Sequence, residues 1–121
     1  MQLIMLSIDF ASLIAQHPRS AAQLRAIRAW LAERSGVNVL EPQVLARDLP
    51  SVAPAELNDA LGILVRDGGM KQCYRVIHPQ KKTFVAGSWN HVAEIPEQLR
   101  DQSDEPFEPG LDDVVVVLEE E

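Results

Sequence analysis

One cysteine, three histidines and a group of cations are the residues of this chain that could carry chemistry. Cys73 would serve as a nucleophile if a base stood beside it, and His78 and His91 are the histidines nearest to it in sequence. No local catalytic spacing joins them. In the middle of a strand-like run, Cys73 reads first as a small core side chain. His17, His78 and His91 are scattered, and HxH, HExxH and CxxC spacings are absent. Metal ions need clustered ligands in fixed geometry, so no metal site is expected. GxGxxG, GxxxxGK[ST] and GxSxG are absent too, which removes the common phosphate cradles and the nucleophile elbow. Asp112-Asp113 is a carboxylate pair inside an acid-rich stretch, where pairs arise by chance. The expectation is a chain without a catalytic residue or a cofactor, and not an enzyme.

Positive charge is the stronger signal. The stretch GGMKQCYRVIHPQKKTFVAG, residues 68–87, holds Lys71, Arg75, Lys81 and Lys82 and no acid. These cations could meet nucleic-acid phosphates or an acidic protein surface. They could also be solvated charges that discourage edge pairing along a hairpin. A third reading has an acidic segment of the same chain lying against them. Arg19, Arg25, Arg28 and Arg34 add positive charge upstream, and a solvated helix face accounts for them most simply.

The chain has 121 residues and a net charge of -7. That charge is unevenly spread. Residues 1–91 hold ten Lys/Arg and seven Asp/Glu, whereas residues 92–121 hold only Arg100 against eleven acids. A mildly basic body is followed by a strongly acidic segment, and such asymmetry says more than the total. The length suits one domain, and 46% hydrophobic with 24% charged residues is a folding composition. A single cysteine excludes an intramolecular disulfide. The opening MQLIMLSIDFASLIAQHPRS lacks a positive n-region and is interrupted by Asp9. It is expected to be neither a signal peptide nor a membrane span, and the cytoplasm is the expected compartment.

The elements that must position the cations follow from periodicity and punctuation. Asp9 reads as the N-cap of a short helix stopped by Pro18. Ser20 reads as the cap of a longer helix, with Leu24, Ile27, Trp30 and Leu31 on one stripe and Gly36 past its end. Val37–Leu40 is a short alternating run. Pro42 suits the first turn of a two-turn helix closed by Pro50. Pro54 opens a third helix of this series, with Leu57, Leu61, Leu64 and Val65 apolar and Gly68-Gly69 as its stop. Strand-like runs at Gln72–Ile77 and Thr83–Val85 are joined by His78–Lys82, with Gly87 as a bulge or bend. Residues 97–113 read as irregular. Val114–Leu118 is a β-branched strand with flanking acids as gatekeepers.

Helix, short strand, helix, tight turn, helix and hairpin is an order that resembles a winged helix-turn-helix. The resemblance covers residues ~20–92 and rests on supersecondary order. It implies an α+β fold: residues 1–19 as an N-terminal helical extension, 20–92 as the winged-helix core, and 93–121 as an acidic C-terminal extension ending in a strand, all one globular unit. It also implies that the third helix of the core enters the DNA major groove while the wing touches backbone or minor groove. Outward positions of that helix would be Glu56, Asn58, Asp59, Gly62 and Arg66, with Asp67 beside them. Three of the six are acids, a poor face for phosphate. The expected function is therefore a non-enzymatic protein–protein interaction module, an adaptor or regulatory subunit. The alternative is a DNA-binding regulator using the basic wing. Arg66, Lys71, Arg75, Lys81, Lys82 and Trp89 are the expected contact residues for a protein partner or, second, for nucleic acid. No membrane partner is expected, and a homodimer is compatible with the sequence. The acidic segment has three readings: it solubilises, it folds back over the wing through its VVVVL strand, or it binds a basic partner; its apolar run favours folding back.

Overall fold

In the computed structural model, which describes residues 7–34 and 36–121, the chain is α+β. Helix α1 is Phe10–Gln16, and the Asp9 carboxylate caps it by accepting the Ser12 N–H at 3.1 Å. Pro18 then opens a single 3-10 turn, Pro18–Ser20. Helix α2 is Ala21–Ala32, with Leu24, Ile27 and Trp30 buried at intervals of three. That spacing keeps them on one helix face. Ser20 occupies the N-cap position of α2 without a side-chain capping bond, because its backbone is committed to the preceding 3-10 turn. Gly36 takes φ +73° in the turn that follows. Helix α3 is Pro42–Asp48, started by its proline and anchored by buried Leu45.

Helix α4, Pro54–Asp67, buries Leu57, Ala60, Leu61, Ile63 and Leu64. Its apolar stripe is wider than the leucines alone define, because Ala60 and Ile63 share the covered side while Val65 is only half-buried. These helices form one core with Phe10, Leu13, Leu40, Met70 and Leu118.

Strand β1 is Val39–Leu40, β2 is Met70–Val76, β3 is Leu99–Arg100, β4 is Pro106–Phe107 and β5 is Val114–Glu120. The main sheet has the order β1-β5-β2, and β3 and β4 form a separate ribbon. Strand β5 runs antiparallel to β1, with Val39 opposite Glu119 and Leu40 opposite Leu118. Successive side chains of a strand point to opposite faces. Burial of both Val117 and Leu118 therefore means that β5 is covered on both faces at that point, which is why a run of valines is tolerated there.

The chain divides into two compact units. The first runs through Lys71 and takes back Leu118–Glu121; the second is Gln72–Val117. Cys73, Val76, Val85 and Val117 are the buried apolar side chains of the second unit, joined by buried His78. Among the described residues no helix is long and apolar enough to cross a membrane.

Candidate interaction surface

The basic stretch was expected to form a hairpin. Its first strand is β2. Its return is held at two isolated bridges, Ile77 with Phe84 and Tyr74 with Trp89. The loop closes through the His78 N–H to the Thr83 carbonyl at 2.8 Å and the Lys82 N–H to the His78 carbonyl at 2.9 Å. Between the two bridges the chain bends at Gly87, which has φ +110°. This conformation is open to glycine and strained for any side chain.

Three of the four cations of the stretch engage groups of the same chain. In the first unit, the Lys71 ammonium lies 3.8 Å from the Glu119 carboxylate of β5. In the second unit, the Lys81 ammonium donates to Asp101 Oδ2 at 3.0 Å and to Ser103 Oγ at 3.3 Å. The Arg75 guanidinium lies over the Phe84 ring, 4.4 Å from its centroid, and donates to the Val85 carbonyl at 3.4 Å. Planar guanidinium on an aromatic face is a favourable stack. Lys82 is exposed, with φ +57° at the loop corner.

Asp101 organises this region. Its side chain is only 5% exposed. Oδ1 accepts the Ser103 and Glu105 N–H groups at 2.8 and 3.0 Å, which shapes the turn between β3 and β4 as an Asx turn does. Oδ2 takes Lys81 and faces His78 Nε2 at 3.6 Å. His78 Nδ1 accepts the N–H groups of Gln80 and Lys81, each at 3.1 Å, so the ring proton belongs on Nε2, toward Asp101. Phe107 of β4 covers the imidazole at a centroid distance of 4.6 Å. The Glu105 backbone N–H, followed by Lys81, holds the Asp101 carboxyl below its ordinary value of 3.8. The chemistry of this arrangement is loop fixation: each polar atom of the carboxylate is spent on holding the chain.

Sequence reasoning misses Asp101, because residues 97–113 read as irregular; Phe107 reads as either a core residue or a partner anchor, and in the structure it packs on His78. The Asp101-Gln-Ser103 order, a side-chain acceptor two residues before a free N–H, was the signal that could have found the turn.

Trp89 is half-buried, and its backbone exchanges two hydrogen bonds with Tyr74, at 2.7 and 2.9 Å. In the first unit, Arg66 is exposed near the end of α4, with its guanidinium folded back over Gly62. The exposed side of α4 also carries Glu56, Asn58, Asp59 and Asp67. Glu56 accepts from Gln23 at 2.9 Å, and Asp67 pairs with His17 at 2.9 Å. The six expected contact residues thus fall in both units: Arg66 and Lys71 in the first, Arg75, Lys81, Lys82 and Trp89 in the second.

Cys73 is fully buried, and a thiol without solvent access is a poor nucleophile. Among the described residues no three His, Cys, Asp or Glu side chains are grouped to hold a metal ion.

Two clefts of about 220 Å³ border these features. One, in the first unit, is lined by Trp30, Val37, Asn38, Val39, Glu41 and Val44. Trp30 is fixed there by its Nε1–H to Asp48 at 2.9 Å and by Arg34 stacked 4.1 Å above its ring. The other, in the second unit, lies between Val92–Glu97 and Pro109–Val114. Comparison with protein-family models, curated proteins and solved structures finds no match to this chain.

Proposed function

We propose that the chain is a non-enzymatic α+β module of winged-helix type that works by protein–protein contact, as an adaptor or regulatory subunit. The element order α2, β1, α3, α4, β2 supports the winged-helix part of this reading. One observation carries the functional part: three of the four cations of the basic hairpin are engaged within the chain. Lys71 faces Glu119, Lys81 is taken by Asp101, and Arg75 is stacked on Phe84. DNA affinity comes mainly from cations free to displace counterions at phosphates. Lys82 remains exposed on the hairpin, while the open side of α4 carries three acids and one arginine. Such a pair of surfaces is suited to a protein partner and badly suited to a polyanion.

A fluorescence polarisation titration against a random 20-base-pair duplex at low salt tests the reading. The intact protein should show no saturable binding at micromolar concentration. The Asp101→Asn/Glu119→Gln double variant should bind measurably more. Each released lysine that reaches a phosphate adds about 0.9 to the slope of log affinity against log salt. Micromolar or tighter binding by the unaltered protein, with a steep salt dependence, overturns the proposal in favour of a DNA-binding regulator.

A further inference from the structure

We propose that the cleft between Val92–Glu97 and Pro109–Val114 is the docking site, and that its occupant is a lysine- or arginine-rich protein segment inserting a branched aliphatic side chain. This rests on the protein-contact reading above and names the partner's chemistry. The cleft lies wholly within the second unit and encloses about 220 Å³. That is room for one or two aliphatic side chains. Its walls are two 3-10 turns, Val92–Glu94 and Leu111–Asp113. Pro96 and Pro109 line it and fix their own backbone torsions. Asp113 Oδ2 accepts the Gly110 N–H at 2.8 Å and pins the second turn. A site built on such turns loses little freedom when it is filled.

Apolar exposure concentrates here. Leu111 is 82% exposed and Val92 is 40% exposed, and both line the cleft. The third large apolar side chain left open, Val116, follows the lining residue Val114 on β5. Elsewhere among the described residues the large hydrophobics are at least partly covered. A core of apolar contact ringed by polar groups is the anatomy of a protein interface.

The rim decides the sign of the partner. Glu97 lines the cleft, and Glu94, Glu108 and Asp112, each next in sequence to a lining residue, are exposed as well. Glu94 reaches only His91, at 4.0 Å. Among the described residues no ion pair engages Glu97, Glu108 or Asp112. Of the other cations in this unit, Arg100 turns to Asp104, Lys81 to Asp101 and Arg75 to Phe84, and Lys82 is exposed on the hairpin loop. An apolar slot lined by Glu97 and flanked in sequence by further exposed carboxylates is complementary to leucine or valine flanked by lysine or arginine.

The probe is a fluorescein-labelled decapeptide with two central leucines and lysines on both flanks, titrated by anisotropy into the intact protein. Binding should be saturable and should weaken with salt. Leu111→Ser should weaken it about tenfold or more, the loss expected when a buried leucine contact is removed. Leu111 is too exposed for this change to unfold the chain, and an unaltered melting curve checks that. Glu97→Gln/Asp112→Asn should weaken binding and flatten its salt dependence. A peptide with serines in place of the leucines, or glutamates in place of the lysines, should fail. Equal binding of the serine peptide, indifference to Leu111→Ser, or no binding at all overturns the inference. So does sedimentation of the protein as a dimer that Leu111→Ser dissociates, because the occupant is then a second copy. If neither peptide nor duplex DNA binds, the cleft inference falls and the protein-contact reading stands. If duplex DNA binds tightly, the protein-contact reading falls whatever the peptide does.

Discussion

Replacing Gly87 with alanine tests whether the bend at Ala86–Ser88 holds Trp89 where the structure puts it. Gly87 has φ +110°, and a Cβ in so sparsely populated a region costs about 1–3 kcal/mol. The added carbon would stand 2.8 Å from Trp89 Cη2 and 2.9 Å from Cζ2, well inside van der Waals contact. The Trp89 backbone cannot slide away, since its N–H and carbonyl are both tied to Tyr74. The indole must therefore leave its rotamer, at about 0.5–1.5 kcal/mol. Together these give about 3 kcal/mol of destabilisation. Gly36→Ala is the matched control. It has φ +73° and nothing among the described residues within 4 Å of the added carbon, so it should cost only the left-handed penalty, about 1–2 kcal/mol. Urea unfolding followed by tryptophan emission measures both, and a shift in native emission should accompany Gly87→Ala alone. In a domain of this size the larger change lowers Tm by about 10 °C. If Gly87→Ala proves no more costly than Gly36→Ala, the ring contact and the argument built on it are wrong.

Two further outcomes follow from the second unit. The Asp101 carboxyl titrates below its ordinary value of 3.8, chiefly through the Glu105 N–H and then Lys81. A carboxylate depressed in the folded state stabilises fully above its unfolded pKa, and that contribution is lost as pH falls through the folded value. Asp101→Asn keeps an oxygen acceptor and loses the charge. Its Tm should lie below that of the unaltered protein at pH 7, and the two melting curves should begin to converge near pH 4, about the unfolded carboxylate value, and meet only below the depressed folded value; parallel Tm–pH profiles would count against the Asp101 network. Cys73 is fully buried, so a thiol reagent should label it only as the chain unfolds, in step with denaturant. Rapid labelling in native buffer would show that the core around β2 is open.

The helices were legible because their signals are local. Asp9 caps α1, Pro42 and Pro54 start α3 and α4, and the leucines of α4 recur at helical spacing. The valine run was legible as a strand for the same reason. Its neighbours were not, because register depends on what lies opposite, and β5 pairs with β1 across most of the chain. The ribbon of β3 and β4 escaped notice because two-residue strands have no periodicity to read. The charge of the hairpin was plain in the sequence, and the acid that meets Lys81 was not, because Asp101 is singled out from eleven C-terminal acids only by the turn it builds.

The position of β5 in the sheet has a consequence for how the chain reaches its structure. Between β1 and the strand that pairs with it lie α3, α4, β2 and most of the second unit. The helices can form and collapse on local contacts within microseconds to milliseconds, but β1 acquires its partner only when a very long loop closes. Until then the edge that β5 will occupy stays open, and a free strand edge is a template for intermolecular pairing. Four valines in the late-arriving strand make that interval the time of greatest exposure to aggregation. Folding speed, more than final stability, should then set how much soluble protein a cell obtains, and the acids that bracket the valines act during that interval by keeping unfinished chains apart.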